Sequence, residues 1–387
     1  LRLVKFKSVE LIGVGGIDYL KIDKINPKFN IICGENGVGK TNILEALAVP
    51  FSNEISRKFI RNVNFLKGKI TIEHDIENED TLISEIEDQN LIGQVVYPDN
   101  KAYLLFVDCN RGLSYQTMTS ISSDEPTAGS FNHSNRMCIN GDDIKGWFVK
   151  RFLYSKHEDT LTNIQQKNLN LAVSSFSILD KNFKFKKISL NHEIIINTPT
   201  GDLFFERLSS GYKSIIYIIL GLIKEIDYRL AAKGKCAAEF NGIILIDEIE
   251  THLHPVWQGK ICIVLKEIFP KAQFFVTTHS PHVVQTANRN EVISLTRSDN
   301  NEVQVRDLPE AEYGYQGWTI EEILKDVMGM PDLRTKKYDE VKRRFDNALD
   351  NQNINEAREA YNELDMMLHP RYPLRPVFRM QLDSLGE

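Results

Sequence analysis

Residues 1–13, LRLVKFKSVELIG, alternate apolar and polar side chains with the two-residue period of a half-buried strand. A short apolar stretch follows at 29–33, FNIIC, and is broken by glycines before NILEALA at 42–48 resumes with helical spacing. The predicted order is strand, loop, helix. Between about Thr71 and Phe205 the periodicity weakens. Strands are expected there at Ile92–Tyr97 and Tyr103–Val107 and helices at Ile144–Tyr154 and Asn163–Leu179. The polar run SSDEPTAGSFNHSN at 122–135 reads as a mobile loop. Order returns at Leu208: LSSGYKSIIYIILGLIKEI offers serines that suit a helix N-cap, then apolar residues around most of the circumference, the pattern of a buried helix. Gly242–Asp247 and Gln273–Thr277 predict buried strands with a helix at about Val256–Ile268 between them, as parallel strands covered by helices require. Farther on, Thr319 and Glu322 form a capping-box pattern. Tyr338–Leu349 and the three-and-four spacing of Ile354, Ala357, Tyr361, Leu364 and Leu368 predict two paired helices.

The 387 residues are 42% hydrophobic, enough for a substantial core. A formal net charge of −6 and a pI of about 5.9 argue against a broadly cationic nucleic-acid wrapper while leaving room for a local basic patch. Cys33, Cys109, Cys138, Cys236 and Cys262 form no CxxC pair and no four-ligand array, so ordinary thiols in a reducing compartment are expected, with no structural zinc. The longest apolar run, Ile215–Ile223, is too short to span a bilayer, and residues 1–13 hold no signal-peptide core. The expectation is a cytoplasmic chain without a membrane partner, and the missing initiator methionine suggests a sequence that begins after the natural start or was trimmed.

GENGVGKTN at 34–42 has the spacing GxxxxGK[ST] through Gly34, Gly39, Lys40 and Thr41. In such a loop successive N–H groups face phosphates, the lysine reaches the β/γ-phosphates and the hydroxyl coordinates magnesium. Gly34, Glu35, Asn36, Gly37, Val38, Gly39, Lys40, Thr41 and Asn42 are therefore the candidate ATP cradle. GIILIDEIE then places Asp247 where an apolar strand ends, suited to share Mg2+ with Thr41, and puts Glu248 beside it to polarise the attacking water. A glutamine that positions cation and water has two candidates, Gln94 in LIGQVVY, taken as the metal contact, and Gln116 after DCNRG. Arg111 suits a phosphate contact or a surface ion pair equally. His252 and His254 lack a matching carboxylate or cysteine ligand set and fit a packing or loop role. No HExxH, paired zinc motif, HNH motif or recognisable nucleophile arrangement is present, which disfavours a protease, an esterase and an intrinsic nuclease.

Together, GENGVGKTN, LSSG, ILIDEIETHLHP and VTTHSP resemble the ABC-type ATPase heads of the RecF, structural-maintenance and overcoming-lysogenization-defect group. The resemblance covers residues 1–50 and 205–295 and implies an α/β fold. That fold is an ABC-type P-loop ATPase head with a mixed/parallel β-sheet core, here with an internal insertion and a C-terminal helical hairpin. The expected domains are an ATPase domain over 1–307, interrupted at about 71–205, and a helical region over 308–387 for assembly or partner binding. In this family a signature serine acts across a head-to-head dimer, so Ser209 and Gly211 are implied to complete the opposing protomer's ATP site, with Ser210 standing where LSGG has glycine. His279 is implied to be a catalytic switch histidine that senses the γ-phosphate, and His252, His254 and Pro255 to help form the dimer seam.

A compact head followed by GWTIEEIL and EAREAYNELDMML is similar to the stand-alone ATPases of the Septu-type PtuA group of bacterial anti-phage systems. The C-terminal region does not resemble a Toprim nuclease domain. The resemblance implies an ATP-binding and hydrolysing switch that uses Mg2+ and works through homodimeric heads or a larger homo-oligomer. Its implied partner is a separate effector nuclease, HNH-type or other, with DNA or RNA as a further ligand. Two other readings stay open. One is a RecF-like DNA-repair or chromosome-associated ATPase, marked by a basic track and ATP-dependent DNA affinity; the other is a structural ATP-binding scaffold with little turnover.

Overall fold

The computed structural model describes residues 5–51, 61–75, 81–87, 90–93, 102–109, 111, 118, 141–298, 300, 302–309, 312–330 and 334–385. Gln94, Gln116, the expected strand beyond Gly93 and the polar run at 122–135 lie outside them. The chain divides into two compact units, Leu1–Gly329 and Met330–Glu387.

The first unit opens with β1 (Phe6–Val14) and β2 (Ile17–Ile22), an antiparallel pair whose side chains alternate between core and solvent. β3 (Phe29–Gly34) feeds α1 (Lys40–Ala48). β4 (Gly68–His74), β5 (Thr81–Glu87) and β6 (Asn90–Gly93) complete an antiparallel sheet of order β2-β1-β4-β5-β6. β7 (Leu104–Val107) is followed by α2 (Gly141–Tyr154) and by α3 (Asn163–Leu179), which Thr162 and Gln165 start with a capping box. A three-stranded meander of β8 (Lys184–Ile188), β9 (Ile194–Thr198) and β10 (Gly201–Phe204) leads to α4 (Ser210–Leu230), the long buried helix that the pattern after Leu208 predicts.

β11 (Ile243–Ile246), α5 (Pro255–Ile268), β12 (Gln273–Thr277), α6 (Pro281–Gln285), β13 (Val292–Arg297) and β14 (Val303–Val305) then build the central sheet. Its order is β14-β13-β3-β12-β11-β7, all parallel except β14. Burial on both faces explains the largely apolar runs of β3, β7, β11 and β12. Phe29, Ile31, Ile244 and Ile246 face a core with Trp147, Phe176 and the apolar side of α4, while Ile32, Leu245 and Phe275 face α1 and the antiparallel sheet. β7 lies inside the span 71–205 yet pairs with β11, so part of that span belongs to the central sheet. Thr319 caps a short helix, α7 (Ile320–Glu322), through the expected box with Glu322.

The second unit holds α8 (Lys336–Asp350), α9 (Ile354–Met367) and α10 (Arg375–Asp383). Val341, Phe345 and Ala348 pack on Ala357, Ala360 and Leu364, and Phe378 and Leu382 of α10 close this core. The spacing predicts the first two helices. The third, short and begun by Pro376 in its first turn, is an addition.

Candidate ATP site

The site gathers at the carboxyl ends of four adjacent parallel strands, β3, β12, β11 and β7, where an open α/β sheet leaves its crevice. At the end of β3 the chain turns through Gly34 (φ +136°), Gly37 (+74°) and Gly39 (+103°), all in the region that favours glycine. A Cβ on Gly34 would also collide with the Leu295 carbonyl oxygen. Glu35, Asn36 and Gly37 are exposed, Val38 is buried, and Lys40 opens α1 with Thr41 and Asn42 behind it. Lys40 Nζ donates to the carbonyls of Gly34 (2.9 Å) and Glu35 (2.8 Å), and burial lowers its pKa.

Ile246 pairs with Val276, so Asp247 and Thr277 sit side by side. Thr277 Oγ1 donates to Asp247 Oδ1 at 2.6 Å and accepts the Glu248 N–H at 2.7 Å. Thr41 Oγ1 donates to both Asp247 oxygens, at 3.2 and 3.1 Å. These contacts join the first turn of α1 to the end of β11. Asp247 is buried, which raises its carboxyl pKa; the Thr277 and Thr41 bonds oppose that shift, and the charges of Glu248 and Asp108 add to it. Glu248 adopts φ +44°, a left-handed conformation that side chains rarely take.

Arg111 is buried and holds backbone carbonyls, so it is not half of a surface pair. Its buried guanidinium donates to the Asp247 carbonyl, to that of Glu248 at 2.9 Å and to that of Ile249 at 3.2 Å, while Nε holds the Asp108 carbonyl at 3.0 Å. Glu250 ties the same turn to the end of β12, accepting from Thr278 Oγ1 (2.7 Å) and the His279 N–H (2.6 Å). His279 is thus fixed by its backbone with its side chain exposed. Ser280 caps α6 and donates to Gln258 at 2.6 Å.

Ser209 is exposed at the N-cap of α4, where its Oγ accepts the Tyr212 N–H at 3.4 Å. Gly211 is buried, and a Cβ there would crowd the His252 carbonyl oxygen. Ser214 Oγ donates to the Thr251 carbonyl at 3.1 Å, so the start of α4 and the Thr251–His254 turn form one packed unit. His254 Nδ1 accepts the Val256 N–H at the start of α5. Lys40, Thr41, Asp247 and Glu248 are therefore brought together, His279 is tied to them through Glu250, and Ser209 makes no hydrogen bond to the glycine loop among the described residues. Thr277, Arg111, Glu250 and Asp108 are the members that motif spacing does not single out.

Two family profiles match, "AAA ATPase domain" over residues 154–284 and "AAA domain" over residues 8–206. The chain is 41% identical over 393 residues to Septu protein PtuA of Bacillus thuringiensis, covering 99% of both chains. It belongs to the Septu PtuA family. A second PtuA protein, from Bacillus mycoides (strain KBAB4), is 25% identical over 86% of this chain, which spans 45% of that longer relative. Among solved structures, the SMC head domain from Thermotoga maritima aligns with a TM-score of 0.47 at 16% identity, covering 79% of this chain and 99% of that one. As a PtuA-family member with AAA domains, the chain binds and hydrolyses ATP. Among its described residues, no helix is long and apolar enough to cross a membrane.

Proposed function

We propose that this chain is the ATP-driven switch subunit of a bacterial anti-phage complex, acting in the cytoplasm on a separate effector nuclease. The near full-length likeness to a Septu protein supports the setting. The observation that carries the chemistry is the ladder Thr41–Asp247–Thr277–Glu248, which links the glycine loop to the adjacent acids. Gly34 to Asn42 cradle the phosphates through backbone N–H groups, and Lys40 exchanges its two carbonyl partners for β/γ-phosphate oxygens. Thr41 and Asp247 supply the hard oxygen donors that Mg2+ prefers. Magnesium held there would supply positive charge that offsets the charge developing on the phosphates. Glu248 orients and polarises the attacking water, and His279 contacts the γ-phosphate. Ser209 completes the pocket of an opposing head, so that two ATP molecules close a homodimer, within a larger homo-oligomer where heads repeat.

The test is phosphate release together with particle size. Glu248→Gln is expected to lower kcat about 10²- to 10⁴-fold, the usual worth of a general base, while retaining ATP and accumulating an ATP-dependent dimer. Wild-type turnover in that variant would remove Glu248 from the chemistry. Copurification with the neighbouring gene product, followed by nuclease assays with ATP, ADP and no nucleotide, tests the effector; activity independent of nucleotide state would sink the switch.

A further inference from the structure

β11 and β7 run parallel with Ile246 opposite Val107, so the next residues, Asp247 and Asp108, leave the sheet beside each other. Cys109 follows, its N–H donating to Asp108 Oδ1 at 2.6 Å. A carboxylate oxygen of Asp108, one of Asp247 and the Cys109 sulfur all lie within 4.8 Å of one another. The Arg111 guanidinium bonds the Asp108 carbonyl and the carbonyls of Asp247, Glu248 and Ile249, so the three donors stand on strand ends locked to each other. Two are hard oxygens and one is a soft sulfur, a mixed set that suits zinc-class ions better than magnesium.

We propose that Asp108, Cys109 and Asp247 form a second ligand set in the cation pocket, through which a thiophilic divalent cation of the zinc or cadmium class takes Asp247 from magnesium and arrests ATP turnover. This rests on Asp247 being a magnesium ligand, since it is the residue the two sets share. Binding is a ligand exchange without redox change: two carboxylates and the thiolate enter, the thiol proton passes to solvent, and water fills the remaining position. Thr41 offers only a hydroxyl, so it stays with the hard-cation arrangement.

Cadmium titration of the full-length, nucleotide-free protein, followed by thiolate-to-cadmium charge-transfer absorption, tests the site. The wild-type band is expected to disappear in Cys109→Ser, to persist in Cys236→Ser, and to need at least about tenfold more cadmium in Asp108→Asn, the scale on which ligand-shell changes alter metal affinity. In turnover assays at fixed magnesium, zinc is expected to inhibit wild type at least about tenfold more strongly than Cys109→Ser, each measured against its own zinc-free rate. An unchanged band in Cys109→Ser overturns the proposal, and so does equal zinc inhibition of the two proteins. A band lost in Cys109→Ser from a protein whose turnover does not depend on magnesium would support the ligand set while sinking the magnesium reading of Asp247.

Discussion

Thr277 uses one hydroxyl twice, donating to Asp247 and accepting from the Glu248 N–H. Thr277→Val keeps the shape and removes both bonds, loosening the Asp247 carboxylate proposed to hold Mg2+ and the Glu248 backbone beside it. Misplacement of that size costs up to about 10²-fold in rate, so kcat is expected to fall about 10- to 100-fold with a smaller change in KM, and Thr277→Ser to restore most of it. Steady-state kinetics on the three proteins decides; an unchanged kcat in the valine variant would make Thr277 a packing residue. Lys40, Thr41 and Asp247 could be read from the sequence because their spacing within one loop and one strand end dictates their place. Thr277 and Arg111 could not, because their roles come from strand register. Nothing in QFFVT or LLFV says that Val276 lies against Ile246 or that Val107 does the same on the other side. The same register puts Asp108 beside Asp247.

Among the elements, the parallel strands and their covering helices were legible because double burial imposes long apolar runs. β8 and β10 were not: β8 has no fully buried residue and β10 is exposed throughout, so no apolar period marks them, and β9 between them is only five residues long. α10 was hidden for a similar reason, since only Phe378 and Leu382 of it are buried. The unit it completes makes a prediction of its own. Phe345 is fully buried between Tyr361 and Phe378, with ring centroids 6.2 and 5.9 Å away. Phe345→Ala is expected to destabilise α8–α10 by about 3–5 kcal/mol, read as lost amide-exchange protection in those helices. Arg344→Ala, which removes a partly exposed pair with Glu363, should cost under about 1 kcal/mol by the same measurement. Equal effects would mean that the aromatic cluster does not hold the unit together.

At the scale of the whole molecule, the exposed Ser209 is the point where one head is proposed to meet the ATP of another. Ser209→Arg should block that meeting while each chain still binds nucleotide. Ser209→Asp should do the same by charge repulsion while keeping a good helix cap, which separates lost assembly from lost folding. Light scattering with ATP in a Glu248→Gln background reads the result, and a dimer that survives both changes would place the contact elsewhere. Glu248 itself, held at φ +44° by the Arg111 and Thr277 bonds around it, carries a further consequence. Backbone strain of this kind costs on the order of 1 kcal/mol and persists only where surrounding bonds impose it. Glu248→Gly should therefore raise the melting temperature while abolishing turnover, and a lowered melting temperature would show that the torsion is relaxed. With the melting temperature raised, heat resistance and activity are opposed at this one torsion, and a screen for hardier variants of the chain is expected to enrich inactive ones at position 248.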